Sequence, residues 1–225
     1  QPHELAAIML LAAITIVAVF YCLDALHGER RDRSILFWKS LPVSDVTTVL
    51  AKAAIPILIL PLLAFTFTVI TQLIMLLLSS AVLLGSGQSV AALWTQAPVF
   101  TMSMGLLYHL VVVHGLFYAP FYTWLLLVSG WARRAVFLWA ALPLVAIGVV
   151  EKVAFNSSHF AGMLLYRVAG GADSMAGPAA AGSPLNNMMR VDYGFLVSPS
   201  MWAGLALSAV FLAAAVRLRR SQEPI

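Results

Sequence analysis

The chain has 225 residues, of which 62% are hydrophobic and only 10% charged, and its mean hydropathy is +0.94. A soluble domain carries about a quarter charged residues, so this composition excludes a water-covered globule and predicts an integral membrane protein. The formal net charge is +4 with a pI of about 9.5, an excess that reads as membrane topology rather than nucleic-acid binding.

A bilayer-crossing helix needs roughly 20 apolar residues, and five stretches meet or approach that length. The first, 5–23, ends at the only cysteine, Cys22, which has no partner for a disulfide or metal site. It reads as a buried thiol, with juxtamembrane palmitoylation as the alternative. A charged connector, 24–45, follows. The second span, 46–84, is longer than one crossing needs and contains Pro56 and Pro61, which predict a kink. The uncharged 85–98 loop leads to the third span, 102–129, with Pro120 near its inner end. "GWARR", 130–134, then makes a tight hairpin to the fourth span, 135–150. Glu151 and Lys152 close that span as interface anchors, with a gating role as the alternative. In the segment 151–199, Phe155, His159, Met163 and Tyr166 recur at helical spacing, which predicts an amphipathic helix before a Gly/Ala/Pro/Ser loop. The fifth span is 201–216.

Of the 13 basic residues, all but Lys152, Arg167 and Arg190, which are spread over the long segment before the last span, fall in three clusters. Arg30, Arg31, Arg33, Lys39 and Lys52 follow the first span. Arg133 and Arg134 form the hairpin tip, and Arg217, Arg219 and Arg220 follow the last span. The positive-inside rule assigns all three to the cytoplasm, with the C-terminus, and assigns 151–199 to the opposite side. This orientation places Gln1 outside, which predicts a sixth span upstream of it.

Within "HGERRDRSILFWKSLPVSDVTTVLAK", Ile35, Trp38 and Leu41 are spaced by three, which predicts one short helix from Glu29 to Leu41 with a single apolar face. Pro42 ends it. Ser44 is then the N-cap of the next helix, with Asp45 at its positive end. Positive-inside anchoring accounts for the arginines but not for Glu29, Asp32 and Asp45. A mixed-charge amphipathic helix suits docking on a protein partner.

Two histidines, His109 and His114, lie inside the third span. Intramembrane ionisable groups are functional candidates by default. At about 100° per residue, five positions place them about 140° apart, so they are not expected to share a face or to form a metal or haem pair on one helix. Three readings stand: neutral histidines packed between helices, lining of a substrate path, and haem ligation with a partner chain. Tyr118 and Tyr122 continue the His114 face as a polar seam or as packing. The chain has no G-x-x-x-x-G-K-[ST], no H-E-x-x-H and no G-x-S-x-G, so no catalytic residue, metal site or cofactor is expected in it.

The connector resembles that of ABC-2 type transporter permeases in its Glu29 and Arg30 start, its Leu41-Pro42-Val43-Ser44 stretch and the later Lys52. The basic hairpin, the outward segment before the last span and the basic C-terminus agree with that family's layout. The resemblance implies an all-α membrane protein with six spans in the complete chain and a short coupling helix seated in a groove of a separate ATPase subunit. It implies the membrane subunit of an ABC exporter in a bacterial inner membrane, acting with a second permease copy or a related subunit by alternating access. ATP and Mg would be held by the partner ATPase. Glu29, Arg30, Arg33, Ile35, Trp38, Lys39, Leu41 and Ser44 would form the coupling site. His109, His114, Tyr118 and Tyr122 are candidates for the translocation path. The alternative is a non-transport anchor subunit of a respiratory or cytochrome complex.

Overall fold

The computed structural model describes residues 2–87, 89–91, 94, 99–168 and 196–221. Among these, all regular structure is helical. The long elements are α1 (Pro2–Ala25), α5 (Leu60–Gly85), α8 (Val136–Phe155) and α10 (Pro199–Ser221). The connector holds two short helices, α2 (His27–Arg31) and α3 (Ser34–Ser40). The second apolar run is α4 (Asp45–Ala54), a π-helical turn (Ile55–Ile59) and then α5. The third is α6 (Val99–Tyr108), a π-helical stretch (His109–Phe117) and α7 (Ala119–Trp131). A further helix, α9 (His159–Val168), precedes α10.

Among the described residues, four helical segments are long and apolar enough to cross a membrane: Ala12–Arg31, Asp45–Gly85, Val136–Phe155 and Pro199–Ser221. The pair Ser103–Phe117 and Ala119–Trp131, bent by 44°, makes a fifth if it is one span. Such a set of helices suits an integral membrane protein.

The helix breaks have local causes. A proline in a helix lacks an N–H and crowds the carbonyl four residues back. A wider i→i+5 turn relieves that crowding. Pro56 lies in the first π-helical turn, and Pro120 lies just beyond the second. Pro120 therefore marks a bend inside the third apolar run, not its inner end.

Two predicted helices are redrawn. The connector is not one helix from Glu29 to Leu41, because Arg33 adopts φ 58°, in the left-handed region, and separates α2 from α3. Nor do Phe155 and His159 share a helix. The fourth span runs on to Phe155, and Asn156 at φ 47° turns the chain into α9. The Gly/Ala/Pro/Ser loop lies outside the described residues, as does half of 85–98.

α7 is the hub. It packs on α10 and α1. Ala18, Cys22, Ala53, Tyr122 and Leu126 form one buried cluster. Leu23, Val128, Ala132 and Ala140 form a second, and Leu26, Val49 and Ala215 a third. Small side chains let helix backbones approach closely where lipid leaves no hydrophobic drive between helices. A close backbone approach is at Gly115, where a Cβ would lie 2.5 Å from the Ile57 carbonyl oxygen. The two π-helical segments therefore meet backbone to backbone. Outward faces are apolar: Phe137, Leu138, Leu142 and Val145 on α8 are all exposed.

Candidate functional sites at the basic end and at the bent helix

At one end of the bundle, helix termini are capped by side chains from other helices. Helix ends leave backbone groups without partners, and apolar surroundings offer no water to supply them. The Ser129 hydroxyl accepts from the amides of Leu26 and His27, both at 2.9 Å. Arg30 Nη1 donates to the carbonyls of Gly130 at 2.8 Å and Ala132 at 3.4 Å, where α7 ends. His27 donates from Nδ1 to the same Ala132 oxygen at 3.2 Å. Lys52 donates to the carbonyl of Ala25, where α1 ends. Ser44 caps α4 by accepting from the Thr47 amide at 3.1 Å.

Four charges complete this end. Glu29 pairs with Lys52 (Oε1 to Nζ, 3.1 Å) and, through Oε2, with Arg219 Nη1. Arg219 Nε pairs with Asp45 Oδ1 at 3.1 Å. The Arg219 side chain is 4% exposed and that of Glu29 10%. Within this network two anions meet two cations, and the buried Arg30 is held by carbonyl oxygens instead. These contacts join the connector, the 130–134 hairpin and the C-terminal helix, so the three basic clusters sit at one end of the bundle.

The coupling candidates therefore divide. Glu29 and Arg30 point into the protein and are not rim charges, because helix ends and cations that would lack partners draw them inward. Arg33 supplies the break between α2 and α3. Ile35 is buried, Leu41 is half-buried and Lys39 is exposed. The single apolar face of Ile35, Trp38 and Leu41 is not found: on α3 Ile35 is buried and Trp38 exposed, and Leu41 lies past the helix end in extended backbone. In its place Leu36 (58% exposed), Phe37 (61%) and Trp38 (42%) project together, with Phe37 and Trp38 edge to face at 5.6 Å. Arg219 is not a mere topological anchor. Asp45, Lys52 and Arg219 belong to the site, and the sequence hinted at this only through acidic residues that positive-inside anchoring does not require.

The bent helix forms a second candidate site. His109 and His114 lie side by side, ring centroids 5.5 Å apart. This corrects the expectation of opposed faces. That expectation assumed α-helical winding, whereas an i→i+5 turn brings residues five apart round to one side. Both are buried, and His114 Nδ1 has no hydrogen-bond partner. The aromatic run continues from His114 to Tyr118 at 5.3 Å and from Tyr118 to Tyr122 at 6.5 Å.

The bend frees the Phe117 carbonyl, since the Phe121 amide bonds to Tyr118 instead. Arg167 of α9 takes that oxygen at 2.9 Å through Nη1 and the Ser200 oxygen at 2.6 Å through Nη2. Its guanidinium also lies 4.6 Å from the centre of the Phe117 ring. Burial pushes the Arg167 pKa down from its ordinary value, and it remains a cation at neutral pH. The Tyr118 hydroxyl donates to the Val168 carbonyl at 2.7 Å. Glu151 is more than an interface anchor: it accepts from the amides of His159 and Phe160, at the start of α9.

Compared with protein-family models, curated proteins and solved structures, the chain matches none.

Proposed function

We propose that this chain is the membrane-spanning permease subunit of an ATP-binding cassette exporter of ABC-2 type, driven by a separate ATPase subunit. The observation that carries this reading is α3. It projects Leu36, Phe37 and Trp38 beside a bundle end where Glu29, Lys52 and Arg219 pair with one another. A helix bearing exposed aromatics beside a basic membrane boundary suits a groove on a cytoplasmic partner, where buried aromatics carry most of the binding energy. In this reading the basic end faces the cytoplasm. Two copies, or one copy and a related subunit, enclose the path. Closure of the ATPase subunits on ATP moves α3, and the bundle alternates between inward and outward openings. The His109, His114, Tyr118 and Tyr122 run lies along the transport path of this reading.

The test is affinity for the ATPase encoded beside this chain, measured with the purified membrane protein. Phe37→Ala with Trp38→Ala should weaken binding by roughly 30-fold or more, as for a loss of about 2 kcal/mol at a hot spot. Membrane insertion should be unchanged. Arg220→Ala is the control, since Arg220 is exposed. Wild-type affinity in the double variant would remove α3 as the docking element. A haem absorbance band with no ATPase binding would favour the respiratory anchor instead.

A further inference from the structure

The docking helix α3 hangs in a loop whose two stems are held by one side chain from elsewhere in the chain. Glu29 stands on the stem before the Arg33 break, and Asp45 stands on the stem after Pro42. Arg219, near the end of the last helix, reaches both, with Nη1 on Glu29 and Nε on Asp45. A guanidinium can do this because its donors form a rigid planar fork, which a lysine ammonium lacks. Lys52 holds the other Glu29 oxygen, so Glu29 cannot move away alone without leaving Lys52 without its carboxylate, and Asp45 cannot without giving up its bond to Arg219.

We infer that Arg219 is a positioning residue that makes α10 the receiver of connector movement. This inference rests on the permease reading. A force on α3 reaches the bundle through the buried Ile35 and through its two stems, and both stems meet the same guanidinium. Displacement of the stems must therefore carry the C-terminal part of α10 with it or break two part-buried ion pairs. The attachments of the connector to the hairpin region, Arg30 on Gly130 and Ala132, His27 on Ala132, and the Leu26 and His27 amides on Ser129, lie on the first stem alone. They fix that stem to the hairpin region and do not couple the two stems to each other.

The experiment uses the intact chain in nanodiscs with its ATPase subunit and MgATP as the only added ligand. Asp45→Asn with Arg219→Gln removes one anion and one cation and leaves the Glu29–Lys52 pair balanced, so the link is cut without stranding a charge. The expected result is that the ATPase still binds with wild-type affinity while its stimulation by the membrane subunit falls about tenfold, within the roughly 5–150-fold typical of coupling between sites. A purely structural pair would lower thermal stability and leave stimulation per bound complex unchanged. If the wild-type chain stimulates the ATPase and the double variant does so equally, the inference is overturned and the permease reading stands. If the wild-type chain neither binds nor stimulates an ATPase, the permease reading fails and the inference fails with it. Should the double variant not insert, Arg219→Lys keeps the charge and loses the fork. It is read the same way: binding retained with stimulation reduced supports the link, and wild-type stimulation overturns it.

Discussion

The charged residues of this chain differ in value according to where they are held. Arg31 pairs with Asp24 and Asp32 on an open surface, where such pairs add little. Arg219 is different, because its side chain is buried and its removal leaves Asp45 without its cation and Glu29 with Lys52 alone. Arg219→Ala should cost about 3–5 kcal/mol of stability, readable as a drop in the unfolding midpoint in detergent. Arg31→Ala should leave that midpoint almost unmoved. Glycines offer a parallel contrast. Gly115→Ala drives a methyl against the Ile57 carbonyl and should cost about 1–3 kcal/mol through forced backbone shifts. A Cβ at Gly148 meets nothing within 4 Å, so Gly148→Ala should be neutral or stabilising by roughly 0.5–1 kcal/mol, the helix-propensity gain. If both glycine variants behave alike, the meeting of the two π-helical segments is not as close as described.

At the scale of elements, α9 is held to the bent helix by a few polar contacts and has no fully buried residue. Arg167→Met with Tyr118→Phe removes three of those contacts, each worth about 1 kcal/mol or more. Amide exchange across 159–168 should rise at least about tenfold, since 1.4 kcal/mol corresponds to a factor of ten, while exchange in α7 stays slow. Unchanged protection of α9 would show that other contacts hold it. This region also marks the reach of sequence reasoning. Ser44 as a cap, and the end of α3 before Pro42, were legible because capping and proline act through local chemistry. Arg33 was not, since arginine carries no signal for a positive φ. The His109–His114 pairing was hidden because a fixed 100° period presupposes the very winding that the proline region alters. Arg219 lies 190 residues from Glu29, and only packing decides which basic residue of the C-terminal cluster turns inward.

At the scale of the whole molecule, the hairpin and the C-terminal helix end on the same side as the connector, whereas α9 is tied to the far end of α10. Single cysteines replacing Arg133 and Ser221 should react with an impermeant thiol reagent from one side of a sealed membrane, and one replacing Lys152 from the other. Cys22 is wholly buried and should stay silent as background. Reaction of the Arg133 and Lys152 positions from one side would break the arrangement. The long helical run Asp45–Gly85 has a further consequence for the lipid. Its 41 residues extend about 60 Å at 1.5 Å per residue, against a hydrocarbon layer of about 30 Å. The charged first part, with Asp45 and Lys52, can stand in the headgroups. From Ile55 to Gly85 no charge interrupts the run, and Leu77, Leu78, Val82 and Leu84 near its end are exposed. A helix longer than the layer that hosts it must tilt, or the layer must thicken around it, and either response costs free energy for each ångström of mismatch. Stability of the chain should therefore rise with lipid acyl-chain length in vesicles, so that membrane thickness itself becomes a variable to which this protein responds.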